Sequence, residues 1–361
     1  MSKLLYREVQ KVKNLFVMGT AGSGKTSVAL GLALKFRQEG YRVGYFKPVG
    51  NAVGTGSKLD EDGLLMKEVL HMEQPVETIV PYLAGPAYLS GYRNPCESLR
   101  SIRQAYEAVA EDKELVIIGG ASFPHIMGCL GLDAVSLALE FKAAPLFTIN
   151  ITDDFSIDQA IFINSYLACK GLNVLGNIFH NVPLPLLAKT EGIYRPILAE
   201  RGFQTLGVIP QNQEMTAPTV KEYYEVLGGE ILAAREKMDR VVEDVVIGAM
   251  SIESALGYLR RAANKAVITG GDRSDVALAA LETDTSALIL TGGLYPDVKV
   301  AARAEDKGVP VILVHYDTYT TIEKASSITR KIRANDERAI HTAVDNIEKH
   351  VDWRNVLKLL Q

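Results

Sequence analysis

The sequence has no tract dense in lysine and arginine, no apolar run near bilayer length, and only three cysteines in 361 residues. Each shortage excludes something. Without a basic stripe, the electrostatic footprint of a nucleic-acid binder is missing. The formal net charge of −4 adds no field that would gather a polyanion, so an anionic ligand must be held by a local site. No segment reaches the roughly 20 apolar residues that a membrane helix needs. Cys96, Cys129 and Cys169 form no CxxC pair and no metal-ligand spacing. They read as small apolar core residues in a reducing compartment. The opening MSKLLYREVQKVKN is too charged for a secretory signal. The expectation is a cytoplasmic protein whose partners include neither nucleic acid nor membrane.

What is present is a globular composition, 47% hydrophobic and 23% charged, enough for a real core in two domains of ordinary size. Short apolar runs alternate with amphipathic stretches. Strands are predicted at Leu15–Met18, Arg42–Phe46, Leu115–Ile118, Pro145–Ile149, Asn173–Phe179 and Leu206–Ile209. Their nearly continuous apolar character suits strands buried on both faces. The fold class expected is α/β, a P-loop NTPase-type parallel sheet with helices on both faces, over residues 1–215. Residues 216–244 read as a linker. A second alternating series, with strands at Val245–Ala249, Ala266–Thr269, Ala287–Leu290 and Val311–His315, predicts a smaller α/β domain over residues 245–335. Residues 336–361 are expected to add a C-terminal helix.

Gly19, Thr20, Ala21, Gly22, Ser23, Gly24, Lys25 and Thr26 fit G-x-x-x-x-G-K-[ST] without mismatch, after an apolar strand and before the helix predicted at Ser23–Gln38. The chemistry needs each part. Glycines let successive N–H groups curl around a phosphate. The helix N-terminus adds the positive end of its dipole. Lys25 reaches for the β- and γ-phosphates, and the Thr26 hydroxyl is offered to Mg²⁺. ATP is the expected nucleotide, in preference to GTP.

Lys47-Pro-Val-Gly50 closes the second strand, Asp62-Gly-Leu-Leu-Met66 opens a helix, and Pro81–Pro86 and Leu206-Gly-Val-Ile-Pro210 follow. With the P-loop, this set over roughly residues 13–215 resembles dethiobiotin synthetase and its relatives. The resemblance implies that Lys47 helps bind substrate and phosphates, that Asp62 joins Thr26 as a Mg²⁺ ligand, and that Ile209 and Pro210 line the base. It also places His180 and Asn181 where relatives contact the base, with His180 a base contact or a satisfied loop histidine, and it implies a homodimer. Read without it, Lys47 is a strand-end lysine, and Asp60, Glu61 and Asp62 are an acidic first helical turn. The sequence departs from the family in three places. Ile118 stands where a Mg²⁺-binding glutamate ends the third strand, the P-loop is one residue shorter, and Ala87–Ser90 lacks a Pro-His pair. These departures argue against dethiobiotin synthesis. Asp153 and Asp154 read as a substitute carboxylate or a helix start, and His125 as a phosphate contact or a loop histidine.

In the second domain Thr269-Gly-Gly-Asp-Arg-Ser-Asp275, Thr291-Gly-Gly293 and Tyr316-Asp-Thr-Tyr-Thr-Thr321 each follow a predicted strand. All three belong at the carboxyl edge of one sheet, where open α/β sheets bind ligands. Gly270, Gly271, Asp272, Arg273, Gly292, Gly293, Thr320 and Thr321 are the candidate contacts for a small anion, and tight turns without a ligand are the alternative. The stretch resembles the DRTGG domain. The two-domain order is similar to the N-terminal region of long-form phosphate acetyltransferase, without that enzyme's acyl-transfer domain within these 361 residues. The resemblance implies an ATP-binding regulatory or ligand-sensing protein, with a metabolic enzyme as partner. The alternative is an ATP-dependent carboxylate ligase or phosphotransferase of the dethiobiotin synthetase-like class.

Overall fold

Six strands, mostly buried except for the half-buried β8 at one edge, build the first sheet: β1 (Lys13–Gly19), β2 (Val43–Phe46), β5 (Leu115–Gly119), β6 (Ala144–Asn150), β7 (Gly176–Val182) and β8 (Thr205–Pro210). Two short strands, β3 (Val49–Asn51) and β4 (Tyr82–Ala84), pair in parallel and, among the described residues, only with each other. These contacts come from a computed structural model that describes residues 12–20, 22–51, 59–85, 87–91, 95–212, 217–326, 328 and 330–360. The chain divides into two units, residues 1–211 with 332–361, and residues 212–331.

In the first unit the order is β2-β5-β1-β6-β7-β8, and every pairing is parallel. The strand that carries the P-loop is therefore central, with Phe16 opposite Ile118 on one side and Phe147 beside Met18 on the other. Leu15, Phe16, Val17, Ile117, Ile118 and Leu146 are at most 1% exposed. Burying such a side chain is worth about 1.5–3 kcal/mol, so the strands are fixed by the core they form. The first helix, α1 (Lys25–Gln38), lays Val28, Leu32 and Phe36 into the interior. Its other neighbour is the helix Glu337–His350, which returns from the far end of the chain. A Cβ on Gly31 would lie 2.5 Å from Ala343 O and from Ile347 Cγ1, so the two helices approach closely only because Gly31 has none. Lys35 adds an ion pair to Glu348 at 2.5 Å. After this helix Val351 bridges Gly207 of β8, and Asp352 N donates to Leu206 O at 2.7 Å.

The second unit holds a five-stranded sheet ordered β10-β11-β12-β13-β9. Its strands are β9 (Glu230–Ala233), β10 (Asp244–Ile247), β11 (Lys265–Gly270), β12 (Thr285–Thr291) and β13 (Val311–Leu313). Four run parallel, and β9 closes one edge antiparallel to β13. Alternate residues feed two cores, as the period of two demands. Val267, Leu288, Leu290 and Val311 serve one, and Ala266, Ile268, Ile289 and Ile312 the other.

One sequence expectation is corrected here. Cys96, Cys129 and Cys169 are exposed and belong to no core. Cys96 sits in the first turn of the helix Pro95–Ala110, Cys129 in a short 3₁₀ turn, and Cys169 closes the helix Phe155–Cys169. Amphipathic helices and turns turn such positions to solvent whatever the residue. Among the described residues no helix is long and apolar enough to cross a membrane.

Candidate functional site at the carboxyl edge of the first sheet

The P-loop joins β1 to α1 through two residues in the left-handed region, Gly22 at φ 71° and Gly24 at φ 77°. Side chains rarely adopt that backbone without strain. Ser23 is fully buried, and its hydroxyl lies 2.7 Å from both Thr20 O and Thr148 Oγ1, which ties the loop to β6. The Lys25 ammonium folds over the loop. It donates to Thr20 O at 2.6 Å and reaches Gly19 O and Ser122 O at 3.4 Å. Burial lowers its pKa to about 8, against the pull of Asp62 and with the repulsion of Lys47. Ala21 lies outside the described residues.

Beside the loop, four side chains form a continuous chain of hydrogen bonds. Thr26 Oγ1 donates to Asp62 Oδ1 at 3.0 Å, and Lys47 Nζ donates to Asp62 Oδ2 at 2.6 Å. The same ammonium donates to both oxygens of Asp60, at 3.0 and 2.8 Å. Lys47 sits just past β2, where its backbone N–H donates to Ile79 O. Asp60 is the N-cap of the second helix, α2 (Glu61–Val69), and accepts from Gly63 N at 3.1 Å and Asn51 N at 3.0 Å. Sequence reasoning did not single out Asp60 as a partner of Lys47. The signal was its N-cap position, two residues before Asp62.

Charge balance explains why this cluster can be buried. Burial would strip the Lys47 proton, but Asp62 and Asp60 hold its pKa above the ordinary lysine value. Burial would protonate Asp62, but Lys47 and the Thr26 hydroxyl hold that carboxyl below the usual range. The Tyr45 phenol is pushed well above its ordinary value, first by burial and then by Asp62 and Asp60, and stays neutral. Breaking one partner of such a buried pair typically costs about 3–5 kcal/mol.

The donor set fits a hard divalent cation in a limited way. The Thr26 hydroxyl and Asp62 carboxylate are adjacent oxygens, and Mg²⁺ is commonly held by one or two carboxylates plus phosphate oxygens and water. Among the described residues no three His, Cys, Asp or Glu side chains gather as a metal cluster. Ile118 is fully buried in β5 and offers no oxygen. Asp154 is engaged by Lys189 and by Tyr194, each at 2.5 Å, and Asp153 caps Ser156. His125 stacks on Phe123 in an exposed loop.

On the other side of the loop, His180 ends the β6–β7 pairing opposite Asn150. Its ring lies where a Cβ on Gly24 would go. Burial lowers the imidazole to about 4, so it is neutral near pH 7. His180 Nδ1 and Asn181 Oδ1 are buried with no hydrogen-bond partner among the described residues. Such atoms are uncommon in folded proteins, and a bound ligand's polar groups could satisfy them. Ile209 is a core residue of β8, 1% exposed, and Pro210 pairs with Val182 beside it. A cavity of about 490 Å³ opens next to Asp60, lined by Leu59, Val76, Val80, Tyr82 and Tyr88.

In the second unit the three glycine-bearing turns do meet at one sheet edge. Their donors are largely used within the fold. Gly271 N donates to Thr291 O, Gly292 N to Tyr316 O and Gly293 N to Val314 O. Arg273 is paired with Asp275 through two contacts of 3.0 and 3.1 Å and also donates to Met250 O. Gly270 and Asp272 form the turn before it, and Arg273 N donates to Gly270 O. Thr320 bonds Asp317 through its N–H and hydroxyl, and the buried Thr321 hydroxyl donates to Asp317 O at 2.7 Å.

The chain is similar to several known proteins. A phosphate acetyltransferase of Nitratidesulfovibrio vulgaris is 26% identical over 367 residues, covering 94% of this chain and 50% of that protein. An ATP-dependent dethiobiotin synthetase of Clostridium perfringens is 24% identical over 235 residues, covering 60% of this chain and 99% of that protein. The chain thus spans about half the length of the phosphate acetyltransferases it matches. Among solved structures, the MinD cell division protein of Aquifex aeolicus covers 56% of this chain and 84% of its own, at 12% identity and a TM-score of 0.38. The CBS and DRTGG domains of the regulatory region of Clostridium perfringens pyrophosphatase cover 43% and 76%, at 17% identity and a TM-score of 0.28. Residues 13–219 match the AAA domain family and residues 222–328 the DRTGG domain, so the chain belongs to the AAA domain family and carries a DRTGG domain after it.

Proposed function

We propose that the first unit binds ATP with Mg²⁺ at residues 19–26 and that the chain is a nucleotide-binding regulatory protein. The observation that carries the binding is the Lys25 ammonium, partly buried and, among the described residues, hydrogen-bonded to backbone carbonyls alone. It is a cation held at the mouth of a curled loop, and phosphate oxygens are stronger acceptors than the carbonyls they would replace. Thr26 and Asp62 are the side chains assigned to Mg²⁺, Lys47 to the phosphates, and His180 and Asn181 to the base. Their unpartnered polar atoms support that last assignment. In the second unit Arg273 is assigned to a small anion, which must displace Asp275.

The regulatory part rests on Ile118. A buried isoleucine at the end of β5 leaves the cation with one carboxylate, a weak arrangement for phosphoryl transfer that depends on charge neutralisation. The test is calorimetric titration of ATP with Mg²⁺ and with EDTA, with GTP for comparison, alongside an assay for phosphate release. Binding with negligible turnover supports the reading. Rapid Mg²⁺-dependent hydrolysis in the presence of a small carboxylic acid supports the second reading, an ATP-dependent ligase or phosphotransferase. That second reading is favoured by the cavity beside Asp60.

A further inference from the structure

The cluster at Lys47 contains more negative charge than phosphate and metal binding need. Lys47 faces two carboxylates, and they differ in kind. Asp60 is buried like Lys47 itself, each side chain being 3% exposed. It takes the ammonium on both oxygens and is further fixed by two backbone N–H groups. Asp62 is 32% exposed, gives the ammonium one oxygen, and gives the other to the Thr26 hydroxyl. Asp60 is a permanent partner by geometry, and Asp62 is an exchangeable one.

We propose that Asp60 is a positioning residue that retains the Lys47 ammonium in the site, so that Asp62 can leave Lys47 for a divalent cation when nucleotide binds. The inference rests on the ATP–Mg²⁺ reading of the P-loop given above. Without Asp60, Lys47 would have Asp62 as its only anionic partner among the described residues. A cation would then compete with a buried ammonium for the same carboxylate. With Asp60 present, Lys47 keeps a neutralising partner, and giving up Asp62 leaves no buried charge unpaired.

Asp60→Asn tests this with little disturbance of α2, because asparagine caps a helix about as well as aspartate. ATP affinity is measured by calorimetry with Mg²⁺ and with EDTA in the wild-type chain, Asp60→Asn and Asp62→Asn. The expected result is that Mg²⁺ tightens ATP binding to the wild type, and that this enhancement falls on the order of tenfold in Asp60→Asn. ATP binding in EDTA is expected to stay equal or tighten, since the variant is more positive by one charge. Asp62→Asn loses the enhancement altogether. A merely structural Asp60 would weaken binding equally in Mg²⁺ and EDTA, and that outcome overturns the proposal. So does an enhancement of wild-type size in Asp60→Asn. A wild type that binds ATP without any effect of Mg²⁺ overturns the proposal and leaves the P-loop reading standing, whereas a wild type that binds no ATP removes the P-loop reading itself. If Asp60→Asn does not fold, a crystal structure of the wild-type chain with ATP and Mg²⁺ decides. Lys47 on Asp60 with Asp62 turned to the cation supports the proposal, and Lys47 still bridging both carboxylates contradicts it.

Discussion

The imidazole of His180 rests against Gly24, on the side where any other residue would carry its Cβ. Gly24 is also at φ 77°, and the helix α1 starts one residue later. Two costs therefore fall on Gly24→Ala. The left-handed backbone costs about 1–2 kcal/mol for a residue with a Cβ, and the ring must move. The variant is expected to lose ATP binding and to unfold at lower temperature. Combining it with His180→Ala should recover part of the stability, because the two changes share one contact. Additive losses in thermal melts would mean that the ring does not press on the loop.

His180 also gives the fold a pH dependence. Its folded pKa, about 4, lies below the ordinary 6.5. Between those values the unfolded chain takes up a proton that the folded chain refuses. Stability is therefore full above about pH 6.5 and falls as pH drops toward 4. The loss is roughly 2–3 kcal/mol by pH 4.5. Urea unfolding of the wild type and His180→Gln at about pH 7 and about pH 4.5 isolates the term, since other groups titrate in both. The wild type is expected to lose more stability than the variant. Equal losses would show that the ring is solvated.

Gly31→Ala reverses an ordinary expectation. In an exposed helix interior, alanine in place of glycine gains about 1 kcal/mol. Here the new methyl meets Ala343 O and Ile347 Cγ1 at 2.5 Å. Overpacking of this kind costs about 1–3 kcal/mol, so the substitution is expected to destabilise the chain and to make the helix Glu337–His350 more susceptible to limited proteolysis. A raised melting temperature would mean that the helix is not seated on α1.

The fold was legible where buried parallel strands write their burial directly into sequence. β1, β5 and β6 are nearly unbroken apolar runs, and the P-loop between β1 and α1 declares itself by spacing. Three features were not legible. The edge strand β9 is only Glu230–Ala233, paired on one side to β13, so it lacks the apolar run that marks a buried strand. The return of Glu337–His350 to α1 depends on Gly31 meeting Ala343 and Ile347, a contact across more than 300 residues that no local pattern encodes. The exposed cysteines follow from their places on helix surfaces and a turn, which composition does not see. At the site, Lys47 and Asp62 were named from a resemblance. The part played by Asp60 follows from α2's N-cap lying beside the end of β2, a juxtaposition that no local sequence pattern encodes.

The account's central claim is that the half-buried ammonium of Lys25 is there for a nucleotide's phosphates. The direct measurement is ATP affinity by calorimetry, with Mg²⁺, for the wild-type chain and Lys25→Ala. Charge-assisted contacts of this type contribute about 1.5–3 kcal/mol. The account predicts saturable binding by the wild type and affinity on the order of tenfold or more weaker in the variant. Equal affinity in the two proteins would contradict it and place any nucleotide elsewhere.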